Sequence, residues 1–249
     1  MIGVLVNVGA VLLGTAVGLL FGGLISEKLR DISFRAVGLS VLIIGISMSL
    51  GGLKALGASH LGNFAPLVLV GSLVVGGIFG EAVGIERGLE RFGQFLQEKT
   101  AKIPLFAPAT ENQPGAKAHT LVEGFVTASL LFCVGAMTIL GSIQSGLGDP
   151  SLLYLKSLLD GIASVALATS FGAGVGLSVI PVIAIQGAIA LGAGTIQPYM
   201  TVPVIAGLEC VGGALILAIG LDLTGIKRLP YGNMLPGVLI AAFIAGIWG

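Results

Sequence analysis

The sequence predicts an all-α, polytopic membrane protein of about eight transmembrane helices, with an inverted three-helix repeat around a central helix pair. Three observations predict this. The 249 residues are 55% hydrophobic and only 10% charged, with a mean hydropathy of +1.06, whereas soluble domains carry about 25% charged residues. Between Asp160 and Glu209 the chain has no Asp, Glu, Lys or Arg. A helical crossing of the ~30 Å hydrocarbon core needs about 20 apolar residues, so this run holds two crossings. Its break signals are Gly172, Gly174, Gly176 and Pro181. The third observation is a resemblance of the chain's end to its beginning, set out below.

The first span covers about 2–25, where Gly14, Gly18 and Gly22 form a close-packing ladder. No charged region precedes it, so it reads as a retained helix and not a cleaved leader. Glu27, Lys28, Arg30, Asp31 and Arg35 mark a charged turn, and the second span follows at about 34–53. The third, about 64–84, carries Gly76, Gly80, Gly84 and Gly88 as a second small-residue stripe, equally suited to packing within or between chains. In 85–118, Ile85, Leu89, Phe92 and Leu96 recur at helical spacing among Glu86, Arg87, Glu90, Arg91, Glu98 and Lys99. That is an amphipathic helix for the membrane surface or the bundle, with a linker from Pro104 to Gly115. The fourth span is expected at about 119–142. Gly148-Asp149-Pro150-Ser151 then signals a turn and a helix start. The fifth and sixth spans fall at about 152–175 and 179–197, the seventh at about 204–222 and the short eighth from about 234.

Basic residues concentrate on cytoplasmic loops. With eight crossings and both termini outside, ten of the twelve Lys and Arg residues fall inside, Lys54 and Lys156 being the exceptions. Seven crossings would expose Lys227 and Arg228.

The repeat appears in three pairs. Val4-Leu5 with Gly9-Ala10-Val11-Leu12-Leu13-Gly14 matches Val182-Ile183 with Gly187-Ala188-Ile189-Ala190-Leu191-Gly192. Leu50-Gly51-Gly52-Leu53-Lys54 matches Leu223-Thr224-Gly225-Ile226-Lys227, and Asn63-Phe64-Ala65-Pro66 matches Asn233-Met234-Leu235-Pro236. The chain therefore divides into a first unit (1–84), an amphipathic cytoplasmic segment (85–118), a central pair (119–175) and a second unit (176–249). A displacement of five crossings inverts the second unit, a design recurrent in secondary transporters and present in some channels and structural proteins.

A charge inside the bilayer is a functional hypothesis. Asp160 lies ~14 Å along its helix from Ser151, near the midplane. Lys156 is one turn earlier, spaced to neutralise it. The pair serves either to orient the helix or as a proton or cation site. Glu209 either lines a polar path or snorkels to the outer surface. Glu123 and Glu81 read as interfacial charges; Asp222 and Lys54 as interface anchors. Asn7, Gln144 and Gln186 fit helix–helix hydrogen bonding. Asn63 and Asn233 precede helix-start prolines as paired N-caps. The candidate path set is Asp160, Lys156, Glu209, Asn7, Gln186 and Glu123.

No nucleophile–base pair, metal cluster or phosphate loop is visible, and His60 and His119 have no partner spacing. Cys133 and Cys210 read as buried free thiols. Neither an enzyme nor a cofactor is expected. Zero net charge without a basic face argues against nucleic acid. The expected partners are the lipid bilayer, a small ion or solute, and a second copy of the chain.

Gly80-Glu81 with Glu86, Gly148-Asp149-Pro150-Ser151 with Lys156-Ser157 and Asp160, Gly225-Ile226-Lys227, and Asn233-Met234-Leu235-Pro236 together resemble the bacterial YqgA/YdfK-like membrane proteins. These motifs run nearly the full length. The resemblance implies a multi-pass protein of the bacterial cytoplasmic membrane and supplies no catalytic or binding residues. The residues themselves point to a transporter of a small solute or ion with Asp160 near its path. The rival is a non-transporting scaffold or sensor whose segment 85–118 docks a partner. A polar, water-accessible cavity reaching Asp160 favours the first; a dry, close-packed, glycine-lined centre favours the second.

Overall fold

A computed structural model describes residues 1–22, 27–100, 121–134 and 136–249 of the chain, and the described residues contain no strand. The helices are α1 (Ile2–Gly22), α2 (Glu27–Gly57), α3 (Ala65–Val83), α4 (Ile85–Thr100), α5 (Leu121–Cys133), α6 (Ala136–Gly146) and α7 (Ser151–Phe171). They continue as α8 (Gly174–Leu177), α9 (Val179–Leu191), α10 (Ala193–Ile196), α11 (Val202–Leu223) and α12 (Pro236–Trp248). Among the described residues, six helical stretches are long and apolar enough to cross a membrane: 2–21, 35–57, 62–83, 151–171, 174–191 and 202–223. The pair α5–α6 is a further span only if its bend is counted within one crossing, and α12 is a shorter apolar helix.

Several boundaries differ from expectation. The charged residues placed in a turn before the second span instead open α2 at Glu27. The fourth span is not one helix: α5 and α6 meet at 65°. The fifth ends at Phe171, short of 175, because Gly172 takes a positive φ of 68° that side-chain-bearing residues avoid. The sixth begins with the single turn α8, and Pro181 is accommodated in the first turn of α9. The turn before α7 forms as read, with Asp149 Oδ1 accepting the Ser151 N–H at 3.0 Å. The linker at 104–115 and His119 lie outside the described residues.

Three helix pairs build the bundle, each through residues without bulk. In α1 and α7, running parallel, a methyl group on Gly14 would overlap the Gly161 carbonyl and one on Gly18 the Val165 carbonyl. The antiparallel α2 and α11 interlock through Gly38, Gly45 and Gly52 on one side and Ala206, Gly213 and Gly220 on the other. α3 meets α12 where Gly76 abuts Gly237 and Gly80 abuts Asn233. The glycine stripes of the first and third spans are thus used within the chain, where small residues let backbones approach. α11 sits deepest, with 72% of its span inside the bundle against 22% for α2 and α3, so it is the central post. Leu5, Leu13 and Leu20 of α1, and Leu67, Ile78 and Phe79 of α3, point outward, as a lipid-facing surface requires.

The ends of the bundle are distinct. Met1 donates to the Ser145 carbonyl at the end of α6, and Gly249 sits beside Pro203 at the start of α11. At the other end, the segment after α11 meets α4 and the start of α5. α4 uses its predicted stripe inward: Leu89 and Leu96 pack on the core, and Phe92 lies 5.8 Å from the Phe125 ring.

Candidate functional site

Four of the six candidate residues converge. Lys156, in the second turn of α7, and Asp160, near its middle, lie one turn apart and form a buried ion pair through Nζ and Oδ2. Asn7 of α1 donates its Nδ2 to Asp160 Oδ2 at 3.0 Å and to Gln186 Oε1 of α9 at 3.2 Å. Asn7 and Gln186 are fully buried, and Lys156 and Asp160 are only 6% and 7% exposed. The i, i+4 spacing lets α7 supply both charges from one face. The glycine contacts between α1 and α7 bring Asn7 within reach of the carboxylate. Three helices thus share one polar knot in an apolar bundle.

The neighbourhood of the knot is the α5–α6 break. The Lys156 ammonium lies 6.0 Å from the Phe132 ring centroid, close enough for a cation–π attraction. Thr138 Oγ1, from the first turns of α6, donates to the Phe132 carbonyl at 3.0 Å and so satisfies a backbone group that the interrupted helix leaves free. A cavity of about 340 Å³ opens between α2, α6 and α7. Lys156, Asp160, Phe132 and Thr138 contribute to its lining, together with mostly apolar residues such as Val41, Met48 and Ile216. The cavity therefore reaches the pair, but its walls are apolar, so it is not the polar cavity that the transport reading expects. Within the knot, Asn7 Oδ1 and Gln186 Nε2 have no hydrogen-bond partner among the described residues.

Glu123 and Glu209 lie apart from this knot. Glu123 opens α5 and sits 3.8 Å from Arg228 Nη1, in a second charged cluster. Arg228 also reaches Glu90 at 3.1 Å and Glu86 at 3.7 Å. A pocket of about 430 Å³ adjoins the cluster, lined by Glu90, Glu123, Thr127, Arg228 and Tyr231 among others. Burial pushes the Glu86 carboxyl above its ordinary value even though Arg228 draws it down. Burial also raises the Tyr231 phenol, and Asp222, which accepts its hydrogen bond at 3.0 Å, raises it further. Glu209 is half-buried on α11, without a hydrogen bond or ion pair among the described residues.

Asn233 corrects a capping expectation. Neither Asn63 nor Asn233 caps the helix that follows it. Asn233 instead bridges two other helices, its Nδ2 donating to Glu81 Oε2 at 2.6 Å and its Oδ1 accepting the Glu86 N–H at 2.8 Å. It caps α4 across the chain. Sequence spacing showed a polar residue before a proline; it had no means of showing which helix end the fold would bring to it.

Membrane-length apolar helices, closed around a desolvated ion pair, define a polytopic helical membrane protein. The chain belongs to the family described as protein of unknown function, DUF554, whose model matches residues 2–246. It is 31% identical over 242 residues to the uncharacterized membrane protein YdfK of Bacillus subtilis (strain 168), covering 96% of this chain and 93% of that one. It is 32% identical over 249 residues to the uncharacterized protein YqgA of Escherichia coli (strain K12), covering 99% and 97% respectively. No solved structure matches the chain.

Proposed function

We propose that this protein is a transporter of a small solute or ion, with Asp160 and Lys156 at its path. The observation that carries the reading is the ion pair itself. Two charges buried within a membrane helix cost several kcal/mol to desolvate, and an orienting role alone would be met by an apolar pair of similar volume. The pair is bonded to Asn7 of α1, which in turn bonds Gln186 of α9; it borders a broken helix and is reached by a cavity. Discontinuous helices beside a midplane site recur in secondary transporters.

The inverted repeat adds support. α1 and α9, matched in sequence, meet at Asn7 and Gln186. α2 and α11, also matched, interlock lengthwise, and α3 meets the start of α12 at Gly237. Contact between counterparts is the pattern of a two-fold axis lying in the membrane, and it is extensive for α2 with α11, while α1 packs chiefly along α7 and meets α9 at Asn7. On this reading the chain crosses the bacterial cytoplasmic membrane eight times. α5 with α6 makes one bent crossing, α12 makes the last, and Met1 and Gly249 lie outside. The rival reading, a scaffold or sensor binding a partner through 85–118, has less to rest on, since Leu89 and Leu96 of α4 already pack against the protein's own core.

Reconstitution tests the proposal. Proteoliposomes are screened for flux of protons, sodium, potassium and a panel of small organic solutes, with empty liposomes as the baseline. Wild-type protein is expected to move at least one of these, and Asp160→Asn to lower that flux at least tenfold. Unchanged flux in Asp160→Asn removes the residue from the mechanism; no wild-type flux above baseline across the panel removes the transport reading.

A further inference from the structure

We propose that the cavity between α2, α6 and α7 is a binding site for a lipid-soluble amphiphile with a small, net-neutral polar head. The ligand enters sideways from the bilayer.

The route of entry follows from the rim. Ile44 on α2 and Leu159 and Ile162 on α7 line the cavity and are also exposed on the flank of the bundle, at 52%, 51% and 62%. These residues lie in the middle of membrane-length helices, so the opening faces hydrocarbon. Its volume of about 340 Å³ falls at the small end of the ~300–1,000 Å³ typical of ligand pockets. The walls suit an alkyl or aromatic body.

The head group is defined by the floor. Lys156 has one hydrogen-bond partner among the described residues, Asp160, leaving further N–H donors on its ammonium. Both hydrogen bonds to Asp160 arrive at Oδ2, from Lys156 and Asn7, so Oδ1 accepts none among the described residues. The floor therefore offers one donor and one acceptor side by side, in a pair whose charges cancel. A ligand bearing net charge would lose its hydration there at a cost that no counter-charge offsets. A hydroxyl, an amide or a protonated carboxylic acid answers both groups at no such cost. The Phe132 ring closes the same end of the cavity. This site stands whether or not the ligand is carried across, and so does not depend on the transport reading.

Photolabelling of the full chain in lipid nanodiscs tests it. Three alkyl diazirines of equal chain length are compared: one ending in a hydroxyl, one in a methyl group and one in a quaternary ammonium, with labelled residues mapped by mass spectrometry. The alcohol is expected to label 37–48 of α2 and 159–166 of α7 at least fivefold more than the other two probes. Ala163→Phe, which fills the cavity, is expected to reduce that labelling at least fivefold. Labelling of the outward-facing Phe79 serves as the check that the variant is folded and the probe equally available. Equal labelling of the cavity by the methyl-terminated probe, preference for the cation, or cavity labelling undiminished in a folded Ala163→Phe protein each overturns the assignment. If Ala163→Phe fails to fold, competition with unlabelled 1-dodecanol replaces it; failure of the alcohol to displace the probe then overturns it.

Discussion

The protein holds two charge clusters of opposite construction. In the bundle, one Lys and one Asp from the same helix face each other with 6% and 7% of their surfaces exposed. At the end of the bundle, Arg228 is shared among Glu86, Glu90 and Glu123, with nearly half of its side chain in contact with solvent. The first cluster is neutral, local in sequence and desolvated. The second is anionic, assembled from three distant segments and open to solvent at Arg228, with Glu86 largely covered. Burial magnifies what the loss of one partner costs, whereas water compensates it. The same chemical pairing therefore fixes the bundle at one place and only fastens its edge at the other.

The largest expected effect breaks the buried pair. Lys156→Met leaves Asp160 desolvated without a counter-charge and should destabilise the protein by about 3–5 kcal/mol. Thermal unfolding of detergent-purified protein would show this as a marked fall in Tm. Lys156→Met combined with Asp160→Leu should recover most of the loss, since an apolar pair needs no compensation. If the single variant melts with wild type, the contrast between the clusters fails.

Arg228→Gln should cost far less, about 0–1 kcal/mol, because exposed ion pairs are screened. Raising sodium chloride from 0.1 M to 1 M should shrink even that difference, while leaving the Lys156→Met effect in place. A salt-independent loss of several kcal/mol would show that the Arg228 cluster is in effect dry.

The smallest effect is a pH slope. Burial holds the Glu86 carboxyl above its ordinary value, so the folded protein binds that proton more tightly than the unfolded chain. The resulting stability is fully present below the unfolded value of 4.5 and is lost as pH rises through the raised folded value. Acidification from neutral pH towards 4.5 should thus favour this end of the bundle. Glu86→Gln should flatten the slope in a comparison of melting curves across that range. An unchanged slope would assign it to another carboxylate.

The membrane class, the third span, α4 and the seventh span were legible because each leaves a strong hydropathy or periodicity signal. Lys156 with Asp160 was legible too: spacing of one turn on a membrane helix fixes their mutual approach. The bond partners of Asn7 and Gln186 were legible only in kind, since hydrogen bonding between helices names no helix. The break between α5 and α6 was not legible, because residues 124–146 contain no charged residue and no Pro. The α2–α11 seam was missed for a different reason. Its glycines at 38, 45 and 52 recur every seven residues, a spacing less conspicuous than the four-residue ladders of α1 and α3.

That seam has a mechanical consequence. At Gly45 and Gly213 the two helices touch through backbone, where no side chain can bend aside to let one slip along the other. The next equivalent fit lies one seven-residue repeat away, a jump of ~10 Å along the axis. Small sliding movements along this line are blocked, so α2 and α11 form a single rigid strut. Any change of shape in the protein has to swing around that strut, with the side-chain-lined contact between α2 and α7, where the cavity opens, as the compliant edge.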